Sequence, residues 1–218
     1  MDPTVTETAG VKAARASRAL WLWLPLLAVL GLAFLADGPV MTALWPLYDS
    51  ELSQVIRHSI RWLGIGYVQA GLLFVLILVG WVRHWPHGAA AGAWALLSLA
   101  ISGIAADVLK VLVHRPRPYV TLPPPDSWMG YWRAHEFQSF PSGESTTSFA
   151  IAASLSLWFP RLQIPLLIAA AIVAIARVIV GNHHPSDIVA GAMLGIATAQ
   201  AVTRLARKRA RQGTGTAA

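Results

Sequence analysis

Three short stretches of this chain concentrate groups able to hold and attack a phosphate. The first runs from Lys110 to Arg117-Pro118, two cations seven residues apart, a spacing that predicts one helix face two turns long. Proline then stops the helix, and Asp107, one turn before Lys110, is placed to pair with it. The second is Phe140-Pro141-Ser142-Gly143-Glu144-Ser145-Thr146-Thr147, a proline-glycine turn opening an apolar run. A helix beginning there presents free N–H groups and the positive end of its dipole to an anion. The third is Arg177 followed by Gly181-Asn182-His183-His184-Pro185-Ser186-Asp187. Gly181 and Asn182 suit a helix stop and Pro185 a helix start, leaving Asp187 in the first turn within reach of His183. A carboxylate bonded to one imidazole nitrogen leaves the other as an oriented nucleophile. Metal binding is a poor reading of this stretch, because adjacent histidines rarely face one ion together.

Each stretch alone has an ordinary explanation. Lys110 and Arg117 could be cations reaching from a helix end to an interface, and Ser145 and Thr146 could be capping residues. Together they supply three cations, a helix amino terminus and a histidine-carboxylate pair, which is what a bound phosphate requires. Arg117 and Arg177 offer forked donors, Lys110 a point charge, and the amides of Ser142 and Gly143 stabilisation of developing negative charge.

The elements that must position these groups are apolar helices. Of 218 residues, 56% are apolar and 12% charged, a balance outside that of soluble domains. Uncharged runs at Ala19–Ala36, Trp62–Val82 and Gly88–Ala106 are each about long enough to cross a bilayer. Ser145–Phe159, Leu162–Ala176 and Ile188–Thr203 are shorter and must borrow flanking turns. Runs of this length in lipid mean helices, so the expected class is all-α, a polytopic membrane protein of six spans with both termini cytoplasmic. Lys12, Arg15 and Arg18 before the first run, and its length, suit a retained signal anchor rather than a cleaved leader. This topology puts Arg83, Arg161 and the basic stretch from Arg204 to Arg211 inside as well, so the net charge of +7 needs no nucleic-acid partner. Lys110, Arg115, Arg117 and Arg177 are the outer cations that need another reason. Trp residues gather near span ends, as interfacial indoles do. Gly191 and Gly195 have the spacing of a close helix contact. No cysteine is present, which excludes disulfide and thiolate chemistry.

The expected organisation is an inner segment, residues 1–18, a six-span domain over 19–206 with outer loops at 37–61, 114–144 and 181–187, and a basic inner tail at 207–218. Residues 1–10 and 212–218 are polar and expected to be mobile. The stretch 118–141, with Pro123-Pro124-Pro125 and several aromatics, reads equally as a lid, a membrane-dipping hairpin or a plain surface loop.

In order and spacing, the three stretches resemble the motifs of the type 2 phosphatidic acid phosphatase superfamily, from the third span onward. The resemblance implies a six-helix membrane core and metal-independent hydrolysis, without a cofactor, through a phosphohistidine on His183. It implies that Asp187 orients His183 and that Lys110, Arg117, Ser142, Gly143 and Arg177 hold the phosphate. Two positions depart from the family pattern. Ala176 replaces a serine, a minor loss. Glu144 stands where the family has a histidine acting as general acid. An unperturbed Glu has a pKa near 4.3, roughly two units below His, and would be an anion beside an anionic substrate. Glu144 reads as an inactivating substitution, as a working departure with a protonated carboxyl, or as the mark of a non-catalytic relative. The expected activity is removal of phosphate from a lipid phosphate or diphosphate at the outer leaflet of a bacterial-type inner membrane, impaired by Glu144. Undecaprenyl diphosphate, phosphatidylglycerophosphate, phosphatidic acid and lipid A phosphate are the candidate substrates. The alternatives are a phospholipid binder or transporter that keeps the pocket, and a vanadate-dependent peroxidase.

Overall fold

A computed structural model describes the backbone of residues 3–213 and the side chains of 24–205. The side chains of the expected inner segment, basic tail and mobile ends lie outside the described residues. The regular elements among the described residues are all helices, with no strand. The long elements are α1 (Pro3–Leu44), α4 (Gly66–Val82), α5 (Pro86–Val113), α7 (Gly143–Trp158), α8 (Gln163–Ile179) and α9 (Pro185–Gly213). Short helices α2 (Glu51–Ser59) and α3 (Arg61–Gly64) join α1 to α4, and α6 (Trp128–Arg133) interrupts the link between α5 and α7.

The bundle carries its apolar side chains outward. Leu32, Leu35, Tyr67, Leu72, Phe74, Ile104, Leu112 and Ile164 are exposed, whereas the interior is built from Ala91, Ala95, Ala150, Ala199 and a set of serines and threonines. This inversion is what a lipid surround selects, since helices in lipid gain little by burying leucine and much by packing small residues closely. The helix α7 lies at the centre, against α5, α8 and α9. Gly191 and Gly195 make the closest approach: a Cβ on Gly195 would stand 2.2 Å from the Thr146 carbonyl oxygen, and one on Gly191 2.7 Å from that of Ser142. The spacing of this glycine pair therefore serves packing.

Four segments are long and apolar enough to cross a membrane: Leu24–Leu47, Pro86–Val113, Pro160–Ile179 and Pro185–Leu205. The other two expected spans, α4 and α7, have 17 and 16 residues. At about 1.5 Å per residue these reach roughly 24–26 Å, less than a hydrocarbon core of about 30 Å.

Three expectations about element ends need correction. The first apolar run does not stop at Ala36, and residues 37–61 are not an extended outer loop. Instead α1 continues through Asp37 and Pro39 to Leu44, and α2 and α3 follow. A charge is tolerated inside α1 because the Asp37 carboxylate is neutralised by Arg115. The run Trp62–Val82 is broken, since Ile65 is extended (φ −72°, ψ 122°) between α3 and α4. Lys110 and Arg117 do not share a helix. The helix α5 ends at Val113, with His114 left-handed (φ 53°) and its amide donating to the Lys110 carbonyl. Pro116 is the cause, because a residue before proline avoids the α region, and this ends the helix four residues before Arg117.

Candidate functional site

The carboxyl end of α5, the amino end of α7, the end of α8 and the start of α9 meet at one end of the bundle. There they enclose a cavity of about 410 Å³, lined among others by Lys110, Arg117, Gly143, Glu144, Arg177 and His183. Six of the eight residues singled out by spacing therefore face one space. Ser142 and Asp187 do not line it, and both are fully buried behind it.

Each lining group is held by a local device. Lys110, on the last turn of α5, bonds Asp107 Oδ1 at 2.8 Å and lies so close over Gly143 that a Cβ there would stand 2.9 Å from Nζ. Glycine at 143 therefore lets the ammonium rest against the start of α7. Arg117 is fixed by the following stretch: its amide donates to the Glu136 carbonyl at 2.8 Å and its Nε to that of His135 at 3.1 Å. Its two terminal nitrogens stay available to an anion. The 118–141 stretch is thus a strap that holds Arg117 from behind through its own backbone carbonyls.

Ser142 caps α7, its hydroxyl accepting from the Ser145 amide. Its own amide donates to the Asp187 carbonyl at 3.0 Å, so the expected use of this amide for developing charge is corrected. The Gly143 and Glu144 amides have no partner among the described residues, and these are the first-turn donors left for an anion.

Behind the cavity, His183 is 4% exposed. Its Nδ1 lies 2.8 Å from the Ser139 carbonyl oxygen, and since a carbonyl only accepts, Nδ1 carries the proton. Nε2 is then the unprotonated nitrogen, the form a nucleophile needs. The expected direct bond from Asp187 is corrected: Asp187 Oδ2 is 3.7 Å from Nδ1. Sitting in the first turn of α9, this carboxylate folds back to accept from the His184 amide at 2.8 Å, and also takes the Ser139 hydroxyl and Arg115 Nη1, each at 2.6 Å. It steadies the residue whose carbonyl orients the histidine. Burial, helped by the positive charges of Arg117 and Arg177 and opposed by Asp187, pushes the His183 pKa down to about 4, so the ring is neutral at ordinary pH.

Glu144 projects from the first turn of α7 into the cavity and forms an ion pair with Arg177 Nε. One of the three cations expected to grip phosphate is therefore already engaged by a carboxylate of the chain itself. Four residues of the site escaped recognition from spacing. Ser139 works through its backbone, and Asp37 and Ser186 carry no local signature. Arg115 did give a signal, as one of the outer cations without a reason.

The sequence matches the PAP2 superfamily over residues 91–211. It is 36% identical over 112 residues to the lipid A 1-phosphatase of Rhizobium johnstonii, a match covering 48% of this chain and 43% of that relative. This chain thus spans less than half the length of that curated relative. Two solved structures share the fold. A transmembrane PAP2-type phosphatidylglycerolphosphate phosphatase from Bacillus subtilis superposes with a TM-score of 0.62, at 24% identity, over 87% of this chain and 96% of that one. LpxE from Aquifex aeolicus gives 0.55, at 23% identity, over 75% and 93%.

Proposed function

This chain belongs to the PAP2 superfamily, and on that footing we propose that it is a metal-independent membrane phosphohydrolase acting on a lipid phosphate or diphosphate through His183. The observation that carries the reading is the convergence of Lys110, Arg117, Arg177 and the Gly143 amide around one cavity walled by a neutral histidine. In the first step Nε2 forms a bond to phosphorus and the bond to the lipid oxygen breaks, the cations and the α7 amides stabilising the equatorial oxygens. In the second step water cleaves the phosphorus–nitrogen bond, releasing inorganic phosphate and restoring His183.

A lipid tail has a place beside this cavity. An apolar groove of about 330 Å³ runs between α4, α7 and α8, lined by Leu63, Leu72, Leu76, Ile151, Leu155 and Leu166. It reaches the phosphate cavity at Gly64, which lines that cavity and lies against both Val173 of the groove and Glu144. In this reading α4 and α7 complete six spans with the help of their flanking turns, both termini are cytoplasmic, and the cavity opens toward the outer leaflet of an inner membrane.

Glu144 limits the first step. The departing oxygen needs a proton, and the carboxyl nearest to supply it is occupied with Arg177. That ion pair is also what favours a second reading, a phospholipid binder that keeps the pocket without turnover. A panel of lipid phosphates and diphosphates, assayed for inorganic phosphate with the native chain and Glu144→His, tests both. Hydrolysis requires that Glu144→His release phosphate at least about 100-fold faster than the native chain on one of them, and that His183→Ala abolish this. Release that persists without His183, or none from any lipid by either form, contradicts it.

A further inference from the structure

Asp37 is buried at 7% exposure near the end of α1, a helix outside the matched segment 91–211. Both of its oxygens accept, from the start of α9 and from the segment that follows α5. Oδ1 accepts from the Ser186 amide at 2.9 Å, and Oδ2 accepts from the Ser186 hydroxyl at 2.5 Å and from Arg115 Nη2 at 2.6 Å. The Ser186 amide is one of the first-turn donors of α9 that have no intrahelical acceptor, so α1 caps α9 from across the bundle. Arg115 continues the chain of bonds. Its Nη1 donates to Ser186 Oγ and to Asp187 Oδ1, both at 2.6 Å. Asp187 holds the Ser139 hydroxyl, and the Ser139 carbonyl holds His183 Nδ1. Ser139 is tied a second time, its amide donating to the Arg115 carbonyl at 3.0 Å. Thus the guanidinium sits between two buried carboxylates, and only Asp187 stands near the histidine.

We infer that Asp37 and Arg115 are positioning residues for His183, with Asp37 fixing Arg115 so that Asp187 and Ser139 hold the imidazole in its Nδ1-protonated form. Resting on the phosphohydrolase reading, this makes α1 a working part of the site rather than a membrane anchor alone. The physical logic is that Arg115 without Asp37 has one carboxylate fewer to fix its planar fork. It then turns toward solvent, Asp187 loses its strongest donor, and the Ser139 carbonyl is no longer held against the ring. None of Asp37, Arg115, Asp187 and Ser139 lines the phosphate cavity, so binding there is spared.

The test uses the full chain carrying Glu144→His in mixed micelles, on the lipid phosphate that is turned over fastest, with Asp37→Asn, Asp187→Asn and the double variant added to it. Asp37→Asn lowers kcat roughly tenfold or more while KM moves less than about threefold, and it adds under about threefold to the loss in Asp187→Asn. Ser186→Ala, which keeps the charges and removes one bridging hydroxyl, gives a smaller loss of the same kind and serves if Asp37→Asn does not fold. A second readout does not depend on turnover: the ring ¹⁵N shifts of His183. In the native chain these report a protonated Nδ1 and a bare Nε2, and in Asp37→Asn a mixture of tautomers. If no form releases phosphate yet the ring shifts respond, the phosphohydrolase reading fails and the positioning role stands. Losses that multiply in the double variant, or a lowered melting temperature with kcat and ring shifts unchanged, reduce Asp37 to a structural cap and overturn the inference.

Discussion

Two carboxylate–arginine pairs flank His183, and they are built to opposite ends. Behind the ring, Asp187 and Arg115 are tied into a network that includes Asp37, Ser139, Ser186 and the His184 amide, and Asp187 is fully buried. In front, Glu144 and Arg177 face a cavity, and the Glu144 side chain keeps 24% of its exposure. A carboxylate buried and bonded to several partners, as Asp187 is, cannot lose them without becoming an uncompensated charge, whereas a pair on a cavity wall can trade one anion for another. On the proposed reading the rear pair sets geometry, and the front pair is where an incoming phosphate must compete.

Removing the residue between the two pairs has the largest expected effect. His183→Ala lowers phosphate release by about three orders of magnitude or more, measured in the Glu144→His background so that the starting rate is high. The two arginines come next and separate the two pairs. Arg115→Gln strands two buried carboxylates and costs about 3–5 kcal/mol in chemical denaturation, while Arg177→Gln strands only Glu144, whose carboxylate faces the cavity, so it costs less and instead raises KM. Equal losses of stability would erase the distinction. Gly143→Ala is milder, because the added Cβ meets the tip of a flexible lysine rather than backbone. It moves Lys110 and raises KM roughly three- to tenfold with an unchanged melting temperature.

The smallest effect is in pH dependence. His183 is pushed down to about 4, so the folded protein declines a proton that the unfolded chain takes up near 6.5. Its contribution to stability is therefore complete above about pH 6.5 and is lost as the pH falls toward 4. An NMR titration of the His183 ring in the native chain should find a midpoint near 4, and a midpoint near 6.5 would place the ring in water.

The front of the site was legible in the sequence, whereas of the back only Asp187 was. Cations and a nucleophile at fixed spacings reveal themselves because the chemistry demands those residue types at helix ends. Lys110, Arg117, Gly143, Arg177 and His183 did so, even though the shared helix face assumed for Lys110 and Arg117 is cut short by Pro116. The rear network depends on bonds across 48 to 149 residues of chain, as between Ser139 and Asp187 or Asp37 and Ser186, and on a backbone carbonyl that has no sequence mark. The all-helical class followed from apolar runs alone. Span ends did not, because Asp37 sits inside α1 with its charge satisfied by a partner that local sequence does not display.

The central claim is that His183 Nε2 attacks phosphorus in a pocket whose leaving-group acid is replaced by Glu144. The most direct measurement is base-quenched mass spectrometry of the peptide containing His183, after mixing Glu144→His with the lipid phosphate it hydrolyses fastest. The account predicts a phosphoryl group on His183 that forms within one turnover and disappears with phosphate release. Turnover that proceeds at full rate with His183 never labelled, at any quench time, would contradict it.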